Sequence, residues 1–587
     1  KTRIVKKTLK LIPLFCSLVL LGQESDTLDI STFGIDSLVY KTTQNSFSKT
    51  DESELLGYNF LISSPQTNFG TPIIGWYWQS NQSTDLRIGD RILDFGTSQK
   101  FTSKSYHQKY PHTKIVYAQT YSEGQRLNFI HKRAYQYGSF ELNYDRLVSE
   151  GFLWHEKNKY TKFNFQGDFK HPEIPYQSSL RFHTFKNVSE WNGGVSDDSL
   201  FLSGAQSNWE LLPINWANLE SSIKHNGLDW KHYYTFSEAT KLAYEINLSQ
   251  DSLFYEGLQD DSLFYPLRLD SATTYQRAFT RVNHSFKWHQ RINDDKDAVI
   301  GLRHQNFKYN NSATNKVIAF ASLKSDFFKN EIYFEFGKEL WDNYSLIANY
   351  TQQLNFGRFH NQVKVAYEAT QPSWMQLNGA TPNWEPFITC IVQSQEPIVD
   401  QYIEWDMSLI NQNLKLTTSY HNIDGYTFFN ENAISVRSDK SVQVFQTRLY
   451  HHLNTNKCYW TGDAVYQNSS SENLPLANLL LNQRVFWQGD LFKEATETQL
   501  GLRALYRSAH PGMTYSPLLG DFYLNPLSET PGSIRLDVFA NFKIQTVKVY
   551  LAYENLNSLW QGEQYVLKPY PMAKPTFRMS LIWNFYD

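Results

Sequence analysis

Apolar and polar residues alternate along most of the chain from about residue 114 onward, in runs of about ten residues. In the run "SIRLDVFANFKI", residues 533–544, every second residue is apolar and most of the residues between them are polar or charged. Gln545 and Thr546 shift the parity before the next run, "VKVYLAYE", so the two runs read as a hairpin. A period of two predicts β-strands, because successive side chains of a strand point to opposite faces.

Roughly 18 to 22 such runs fit between residue 110 and the end, each about as long as a membrane-spanning strand. We therefore predict an all-β fold, a transmembrane antiparallel β-barrel of about 18–22 strands with long extracellular loops. The polar stretches 189–226, 369–398, 425–440 and 509–531 are the predicted long loops. An array of soluble β-sandwiches would need a repeat of about 100 residues joined by linkers. The sequence has no such period.

The composition supports strands that face lipid on one side and water on the other. The 587 residues include 37 Tyr, 40 Phe and 16 Trp, yet the mean hydropathy is −0.51. A helical membrane protein would need internal apolar runs of about 18 or more residues, and the sequence has none. The net charge of −3 gives no basic surplus for binding nucleic acid.

The first 22 residues have the build of a secretory signal peptide, a cluster of Lys and Arg followed by a short apolar stretch. We expect cleavage after Gly22, because the stretch is short for a membrane anchor. Cys16 would be removed with this peptide. The spacing of the remaining Cys390 and Cys458 gives no support for a disulfide, and two thiols cannot form a disulfide framework.

The predicted organisation has three parts: 1–22 as signal peptide, 23–105 as an N-terminal segment, and 106–587 as the transmembrane barrel. The middle part mixes a strand-like stretch with Gly, Pro, Ser and Asn, so it could lie in the lumen, lie in the periplasm or form the first strands. A barrel of about 20 strands is wide enough to need a plug or inward-folded loops. The segment 23–105 or a long loop could supply that filling.

Several stretches occur in an order typical of one protein family. They are residues 110–169 with their "SEGF" turn, "WNGGVSDDSLF" at 191–201, residues 491–524, and "AYENLN" followed by "YPMAKPTFRMSLIWNFYD". Together they resemble the putative porin family of the Bacteroidota outer membrane, large single-chain transmembrane β-barrels. The "YPMAKP" turn departs from the more usual Pro-Gly-Arg. The resemblance implies an outer-membrane barrel more firmly than it implies a permeant.

The polar faces of the last strands carry charges that parity assigns to the lumen. Rings of charge at a constriction set the ion preference of a pore. Basic residues outnumber acidic residues on this wall, which would favour anions if the barrel conducts. The candidate lumen-facing charges are Arg503, Arg507, Arg535, Asp537, Lys543, Lys548, Glu554 and Arg578.

The last strand alternates up to the C-terminus, with Ile582 as the one apolar residue on its polar face. We predict that it closes the barrel by pairing with the first strand, so that no edge remains. Its odd-numbered face would contact lipid and resembles the C-terminal signal by which barrels are recognised for insertion. That face consists of Phe577, Met579, Leu581, Trp583 and Phe585.

Candidate chemistry is sparse. The sequence has no phosphate-binding loop, zinc-protease, CxxC or esterase motif, so we expect no enzyme activity, no cofactor and no catalytic or metal site. The motif "DSLF" begins at Asp198, Asp251 and Asp261. It could bring carboxylates to a Ca²⁺ ion, but we favour an Asp-Ser turn cap that leads into a strand. Trp residues at 191, 209, 216 and 230 could stack on sugars, although an interfacial aromatic girdle explains most of them.

The sequence favours an outer-membrane channel for passive diffusion of small solutes or ions. The alternative is a plugged barrel that acts as an accessory subunit of an outer-membrane assembly or secretion complex. A TonB-dependent transporter is poorly supported, because the N-terminal region is short for a full plug domain. Expected partners are outer-membrane lipid and lipopolysaccharide, the barrel assembly machinery during insertion, and a homo-oligomer or complex partner. The expected location is the outer membrane of a Gram-negative bacterium, reached after signal-peptide export.

Overall fold

The computed structural model describes most of the chain after the first 62 residues. The described ranges are 63–65, 68–69, 71–79, 85, 87–97, 111–120, 124–257, 274–294, 296–309, 312–325, 329–339, 344–378, 396–409, 413–492, 495–525 and 529–586. The predicted signal peptide, Cys16 and Cys390 lie outside the described residues. Within these ranges no helix has the length and apolar character needed to cross a membrane.

Twenty-two antiparallel strands form one closed barrel, which confirms the predicted fold class. The first eleven are β3 (His112–Gln119), β4 (Gln125–Tyr135), β5 (Gly138–Ser149), β6 (Asn158–Lys170), β7 (Tyr176–Trp191), β8 (Leu219–Thr235), β9 (Thr240–Glu256), β10 (Thr274–Asn293), β11 (Lys296–Tyr309), β12 (Ser312–Ser325) and β13 (Asn330–Glu339). The others are β14 (Tyr344–Phe356), β15 (Phe359–Thr370), β16 (Ile398–Leu409), β17 (Leu414–Asp424), β20 (Val442–Thr455), β21 (Cys458–Ser469), β22 (Leu479–Leu491), β23 (Thr496–Arg507), β26 (Ser533–Ile544), β27 (Val547–Glu554) and β30 (Thr576–Tyr586).

Short strands and helices lie outside the barrel ladder. The short strands are β1 (Ser63–Pro65), β2 (Ile73–Gly75), β18 (Thr427–Phe429), β19 (Ser435–Arg437), β24 (Met513–Ser516), β25 (Asp521–Leu524), β28 (Tyr565–Leu567) and β29 (Tyr570–Pro571). The helices are α1 (Arg91–Thr97), α2 (Asp198–Leu202), α3 (Trp374–Asn378) and α4 (Ser558–Gln561), with a 3₁₀ turn at Trp209–Leu211.

Connections of very different length alternate around the barrel. Tight turns such as 136–137 and 545–546 lie at one end, and long loops such as 192–218 and 425–441 lie at the other. The predicted loop 189–226 was too long, because β7 continues to Trp191 and β8 begins at Leu219. The loops after β17 and β23 carry β18, β19, β24 and β25, which join into one small sheet through the pairing of β18 with β25.

Residue parity divides the wall into an apolar outer face and a polar inner face. Large apolar side chains on the outer face remain exposed, such as Leu502 at 61%, Ile300 at 57% and Val485 at 55%. Alternate residues on the same strands are buried, including Gln305 and Arg503. An outward apolar surface around a polar interior is the arrangement that a bilayer imposes on a transmembrane barrel.

The last strand closes the ring. β30 pairs with β27 on one side and with β3 on the other, where His112 lies opposite Tyr586 and Ala118 opposite Ser580. The predicted lipid-facing row of β30 is exposed at Phe577, Met579 and Trp583, and partly exposed at Leu581 and Phe585. The opposite face, Arg578 to Asn584, is buried.

An apolar core lies inside the barrel. Phe69, Ile88, Ile92 and Leu93 of the N-terminal region are fully buried and pack with wall residues and loop residues in one cluster. The wall contributes Val116, Ala118, Leu147, Tyr160, Phe185 and Ile582, and the loops contribute Met375, Phe429, Tyr515, Leu518 and Leu519. Ile582, the exception in the alternation of β30, therefore belongs to this internal core.

Removal of residues 577–587 deletes nearly all of β30 and leaves β3 and β27 without their shared neighbour. Unpaired backbone groups in the bilayer cost several kcal/mol each, so we expect loss of outer-membrane assembly. The measurement is heat-modifiable migration of membrane fractions on a gel. Removal of Asp587 alone, which follows the strand, is the control and should assemble normally. A normal heat-modifiable barrel after the longer deletion would contradict the closure argument.

Candidate functional site

Within the predicted segment 23–105, residues 68–97 lie inside the barrel as far as they are described. The name N-terminal segment is used below for residues 68–97 only. Its first anchor is Asn68, whose side chain is fully buried. The amide Nδ2 donates to the carbonyls of Ser149 at 3.1 Å and Glu156 at 2.8 Å, and Oδ1 accepts from the Phe69 amide at 2.8 Å. This amide therefore ties the segment to the loop between β5 and β6.

Cations of the wall lie over aromatic rings of the N-terminal segment. The guanidinium of Arg507 lies 4.2 Å from the Trp76 ring centroid, and that of Arg578 lies 4.7 Å from the Phe69 ring centroid. The Nζ atom of Lys162 lies 3.6 Å from the centroid of Phe95 and donates to its carbonyl at 3.1 Å. Such contacts contribute about 0.5–2 kcal/mol each. They hold the segment from three different strands.

Ion pairs and hydrogen bonds add to these contacts. Asp85 pairs with Arg303 and accepts a hydrogen bond from Gln305 Nε2 at 2.7 Å. Arg91 pairs with Asp521 of the loop between β23 and β26 at 2.7 Å. Gln467 Nε2 donates to the Trp76 carbonyl at 2.6 Å. The N-terminal segment thus contacts both the wall and the inward-folded loops.

Helix α1 carries the segment's apolar face, and Asp90 caps it. Asp90 Oδ1 accepts from the Leu93 amide at 2.8 Å. Gly520 packs closely against this cap, at a φ of +64°, and a Cβ there would clash with Asp90 Oδ2. Burial raises the pKa of Asp90 to about 7, against the lowering effect of the hydrogen bond from Leu93. The buried site of Asp90 therefore favours the neutral, protonated carboxyl group over the carboxylate.

Gly89 lets a loop approach the segment just before the helix. Its φ is +89°, and a Cβ there would clash with Ser373 Oγ. The amides of Trp374 and Met375 donate to the carbonyls of Arg87 and Ile88 at 2.8 and 3.0 Å. This short ladder fixes the backbone of the segment against the loop that contains α3.

The predicted lumen charges of the last strands are largely paired with each other. Arg535 contacts Asp537 at 2.8 Å and Glu554 at 3.2 Å. Arg578 contacts Glu554 at 2.5 Å, and Arg503 lies 3.9 Å from Asp537. All five side chains are buried. This part of the wall therefore presents a paired network of three guanidinium groups and two carboxylates rather than a free basic surface.

The remaining predicted lumen charges have separate surroundings. Arg507 is buried under Trp76 and has no carboxylate partner among the described residues; its Nη2 donates to the Tyr565 carbonyl at 3.4 Å. Lys543 pairs with Glu497 at 3.3 Å. Lys548 is buried on the inner face of β27. The structure thus brings Arg503, Arg535, Asp537, Glu554 and Arg578 together, whereas Arg507 contacts Trp76 and Lys543 pairs with Glu497.

The three "DSLF" motifs differ in their structural positions. At the first, Asp197 caps helix α2 by accepting from the Leu200 amide at 2.9 Å, so the cap leads into a helix and not into the predicted strand. At the second, Asp251 is buried within β9 and contacts His225 at 2.5 Å and Arg281 at 2.9 Å, so the predicted turn cap is wrong there. Asp261 lies outside the described residues. The described part of the chain holds no cluster of His, Cys, Asp and Glu suited to a metal ion.

The girdle interpretation is wrong for three of the four tryptophans singled out in the sequence. Trp191, Trp209 and Trp216 are buried, and Trp191 stacks on Tyr515 with centroids 5.2 Å apart. Only Trp230 of the four is exposed, at 45%, on the outer face of β8. Inward-folded loops bury aromatic residues as a soluble core does, and the sequence pattern of loops does not distinguish this from a girdle.

A cavity of about 350 Å³ lies between the N-terminal segment and the loops at the long-loop end. The segment contributes the charged side chains of Arg87, Arg91 and Asp94, which are exposed to water although they lie inside the barrel. Glu368 and Asp400 line it from strands β15 and β16. Sites of about 300–1,000 Å³ with a few polar groups are typical for small molecules. This cavity is the candidate functional site.

Aromatic side chains complete the lining. Trp78 meets Tyr426 edge to face with centroids 5.9 Å apart, and Tyr426 stacks on Phe428 at 5.7 Å. Phe522 lies beside Arg91, whose guanidinium is 5.8 Å from its ring. The sequence interpretation missed every one of these residues, since it assigned function to the wall and not to the N-terminal segment.

Comparison with known proteins agrees with the architecture. The family model described as "Putative porin" matches residues 30–587. The FrpB iron transporter from Neisseria meningitidis is similar in fold, with a TM-score of 0.58 and 10% identity over 81% of this chain and 82% of that chain. A mutant form of the ferric enterobactin receptor PfeA from Pseudomonas aeruginosa gives a TM-score of 0.57 and 9% identity over 81% of this chain and 80% of that chain.

BauA, the ferric preacinetobactin receptor from Acinetobacter baumannii, gives a TM-score of 0.53 and 11% identity over 81% of this chain and 80% of that chain. The comparison with curated proteins gives no match. Identities this low show a common fold only. The family match, in contrast, spans nearly the whole chain. The chain therefore belongs to the putative porin family, and its fold is that of an outer-membrane β-barrel.

Proposed function

We propose that the protein is an outer-membrane channel for small polar solutes or ions, closed at its long-loop end by the N-terminal segment. Export through the predicted signal peptide would deliver it to the outer membrane of a Gram-negative bacterium. The observation that carries the proposal is the apolar core inside the barrel in which Phe69, Ile92 and Leu93 of the segment pack with the wall and the loops. A passive pore of this width with no such filling would be unselective.

The contacts of the segment suit a gate better than a permanent core. Its wall contacts through Arg578, Arg507 and Lys162 are cation–π contacts of about 0.5–2 kcal/mol each. The segment makes no continuous ladder with the barrel strands in the part of the chain that is described. It can therefore move without breaking the hydrogen-bonded ring that keeps the barrel in the membrane.

A second candidate is an accessory subunit of an outer-membrane complex, which a closed lumen also permits. Exposed apolar side chains at the long-loop end favour it, since such patches mark interaction surfaces. The patch consists of Trp154, Leu202, Leu211, Leu559 and Trp560, each exposed by more than half. The loops that carry these residues meet in one buried cluster around Trp209 and Tyr565. Lipopolysaccharide or a second copy of the chain could also cover this patch, and assembly of the barrel would use the general insertion machinery.

Conductance of the purified protein in planar bilayers tests the gate. The double variant Phe69→Ser with Trp76→Ser removes two rings that lie under wall cations. We expect it to open more often than the unmodified protein, by about tenfold or more, because two cation–π contacts and their apolar burial are lost. Trp560→Ser, which removes an exposed ring away from the segment, should behave like the unmodified protein.

Deletion of residues 68–97 is the stronger form of the same experiment. It should give stepwise conductance larger than that of the unmodified protein, with heat-modifiable migration retained as evidence of an intact barrel. An intact barrel that stays electrically silent after this deletion would show that the channel function is wrong.

The docking of the segment should weaken as pH rises. A free aspartate titrates near about 3.9, whereas docked Asp90 titrates at about 7. Between these values the docked state holds a proton that the released state lacks, so docking loses free energy as pH rises from about 4 to 7 and then levels off. Asp94 reinforces the raised pKa and Arg277 opposes it. Channel openings should therefore be more frequent at pH 7.5 than at pH 5.

Asp90→Asn isolates this effect from other titrating groups. The amide oxygen can still accept from the Leu93 amide, so the helix cap is kept while the charge is removed. Its openings should lose most of the difference between pH 5 and pH 7.5. An unchanged pH response in this variant would assign the dependence to another group.

Gentle detergent extraction tests the accessory role. A stoichiometric partner should leave the membrane with the unmodified protein and be lost from the triple variant Trp154→Ser, Leu211→Ser and Trp560→Ser. The matched control is Leu502→Ser on the outer face of the barrel wall, which should keep the partner. Recovery of the unmodified chain alone, or only as a homo-oligomer, would exclude a separate partner.

A further inference from the structure

Two opposite charges of the N-terminal segment face the cavity without a partner among the described residues. Arg87 and Asp94 both line it, and both side chains are exposed on the cavity surface. Neither side chain forms a hydrogen bond or ion pair with another residue in the described ranges. Charged groups inside a protein are stable when they are hydrated or paired, so these two positions are suited to the charged groups of a ligand.

The backbone fixes each of these charges in place. Arg87 lies in the short ladder with the α3 loop, where its carbonyl accepts from the Trp374 amide at 2.8 Å. Asp94 lies in helix α1, and its amide donates to the Asp90 carbonyl at 2.9 Å. The protein around the cavity desolvates the Asp94 carboxyl, which raises its pKa, and the charge of Arg87 acts through space to lower it. They attract one another, yet they do not meet in an ion pair.

The other charges of the cavity already have partners. Arg91 pairs with Asp521 at 2.7 Å. Asp400 contacts His421 Nδ1 at 3.0 Å, and Glu368 accepts from Tyr402 Oη at 2.8 Å. These carboxylates still add negative potential on the wall side, which favours a cation there and disfavours an anion without a compensating positive group. A ligand that carries only negative charge is therefore a poor fit.

The remaining surface is aromatic. The rings of Tyr426, Phe428 and Phe522 line the cavity beside the charges, and Trp78 closes on Tyr426. Rings of this kind bury apolar side chains and attract cations to their faces. The cavity thus offers one position for an anion, one for a cation and an apolar surface between or beside them.

We propose that this cavity binds a short zwitterionic peptide, with its carboxylate at Arg87, its ammonium at Asp94 and its side chain against the aromatic rings. Arg is suited to a carboxylate because its planar group can donate two parallel hydrogen bonds. The bound peptide would link the N-terminal segment to the loops. This inference rests on the proposed channel, for which it names the solute class.

Isothermal titration of the full detergent-purified protein with glycyl-L-phenylalanine tests the site directly and needs no conductance. N-acetyl-glycyl-L-phenylalanine lacks the ammonium, and glycyl-L-phenylalaninamide lacks the carboxylate. We expect each to bind about 10- to 100-fold more weakly than the zwitterion, because one charge-assisted contact is lost. Maltose, a solute without charged groups, should give no measurable binding.

Charge-neutral variants assign the two positions. Arg87→Gln should bind the zwitterion and the amide equally, because the group that distinguishes them is gone. Asp94→Asn should likewise lose its preference for the zwitterion over the acetylated peptide. Lys440→Gln, an exposed loop cation outside the cavity, should keep the full pattern. Heat-modifiable migration of each variant confirms an intact barrel.

Equal binding of all three peptides, binding of maltose in place of the peptide, or unchanged discrimination in both variants would overturn the proposal. Peptide binding by a protein that never conducts would keep the site and refute the channel. Conductance without peptide binding would keep the channel and refute the site.

Discussion

The backbone hydrogen bonds of the ring are the constraint on which the rest of this structure depends. Within a bilayer every strand needs a partner on both sides, and pairing of β30 with both β27 and β3 provides the last of these. Ring closure with 22 strands creates a lumen much wider than side chains alone can fill. The interior must then hold water or additional chain. The N-terminal segment and the inward-folded loops follow from this second requirement.

The filling differs from an ordinary protein core in the way it is held. Phe69, Ile92 and Leu93 bury their side chains as core residues do, at about 1.5–3 kcal/mol each. The wall that receives them also carries buried charges, and cations such as Arg578 and Arg507 bridge between it and the rings of the segment. Pairing of Arg535 with Asp537 and Glu554 lowers the cost of keeping so much charge inside. The hydrogen-bonded ring and the chain that fills its lumen are therefore stabilised by different interactions. The contacts of the filling can change while the ring persists.

The alternation of apolar and polar residues made the closed ring of strands predictable. The same alternation carried no information about the N-terminal segment and the loops that fill the lumen. Parity placed Phe577 outside and Arg578 inside, and the anomaly at Ile582 marked a position where the wall meets apolar chain. The contact between Arg578 and Phe69 joins two distant parts of the sequence and follows no period. Asp251 looked like a turn residue because of its neighbours in the sequence, yet it lies within β9. A lumen charge with too few acids nearby, such as Arg507, was the available hint that another part of the chain would cover it.

Closure of the lumen and recognition of a solute use neighbouring residues of the N-terminal segment. A plug that only sealed the lumen would gain from pairing Arg87 and Asp94, which have no partner among the described residues, because an unpaired charge weakens its docking. Helix α1 instead turns Ile92 and Leu93 toward the core while Arg91 and Asp94 face the cavity. A solute that satisfied these charges would change the free energy of the docked segment by its own differential affinity for that state. The coupling between what enters the cavity and whether the lumen is filled therefore needs no pathway beyond one short helix and the residues that cap it.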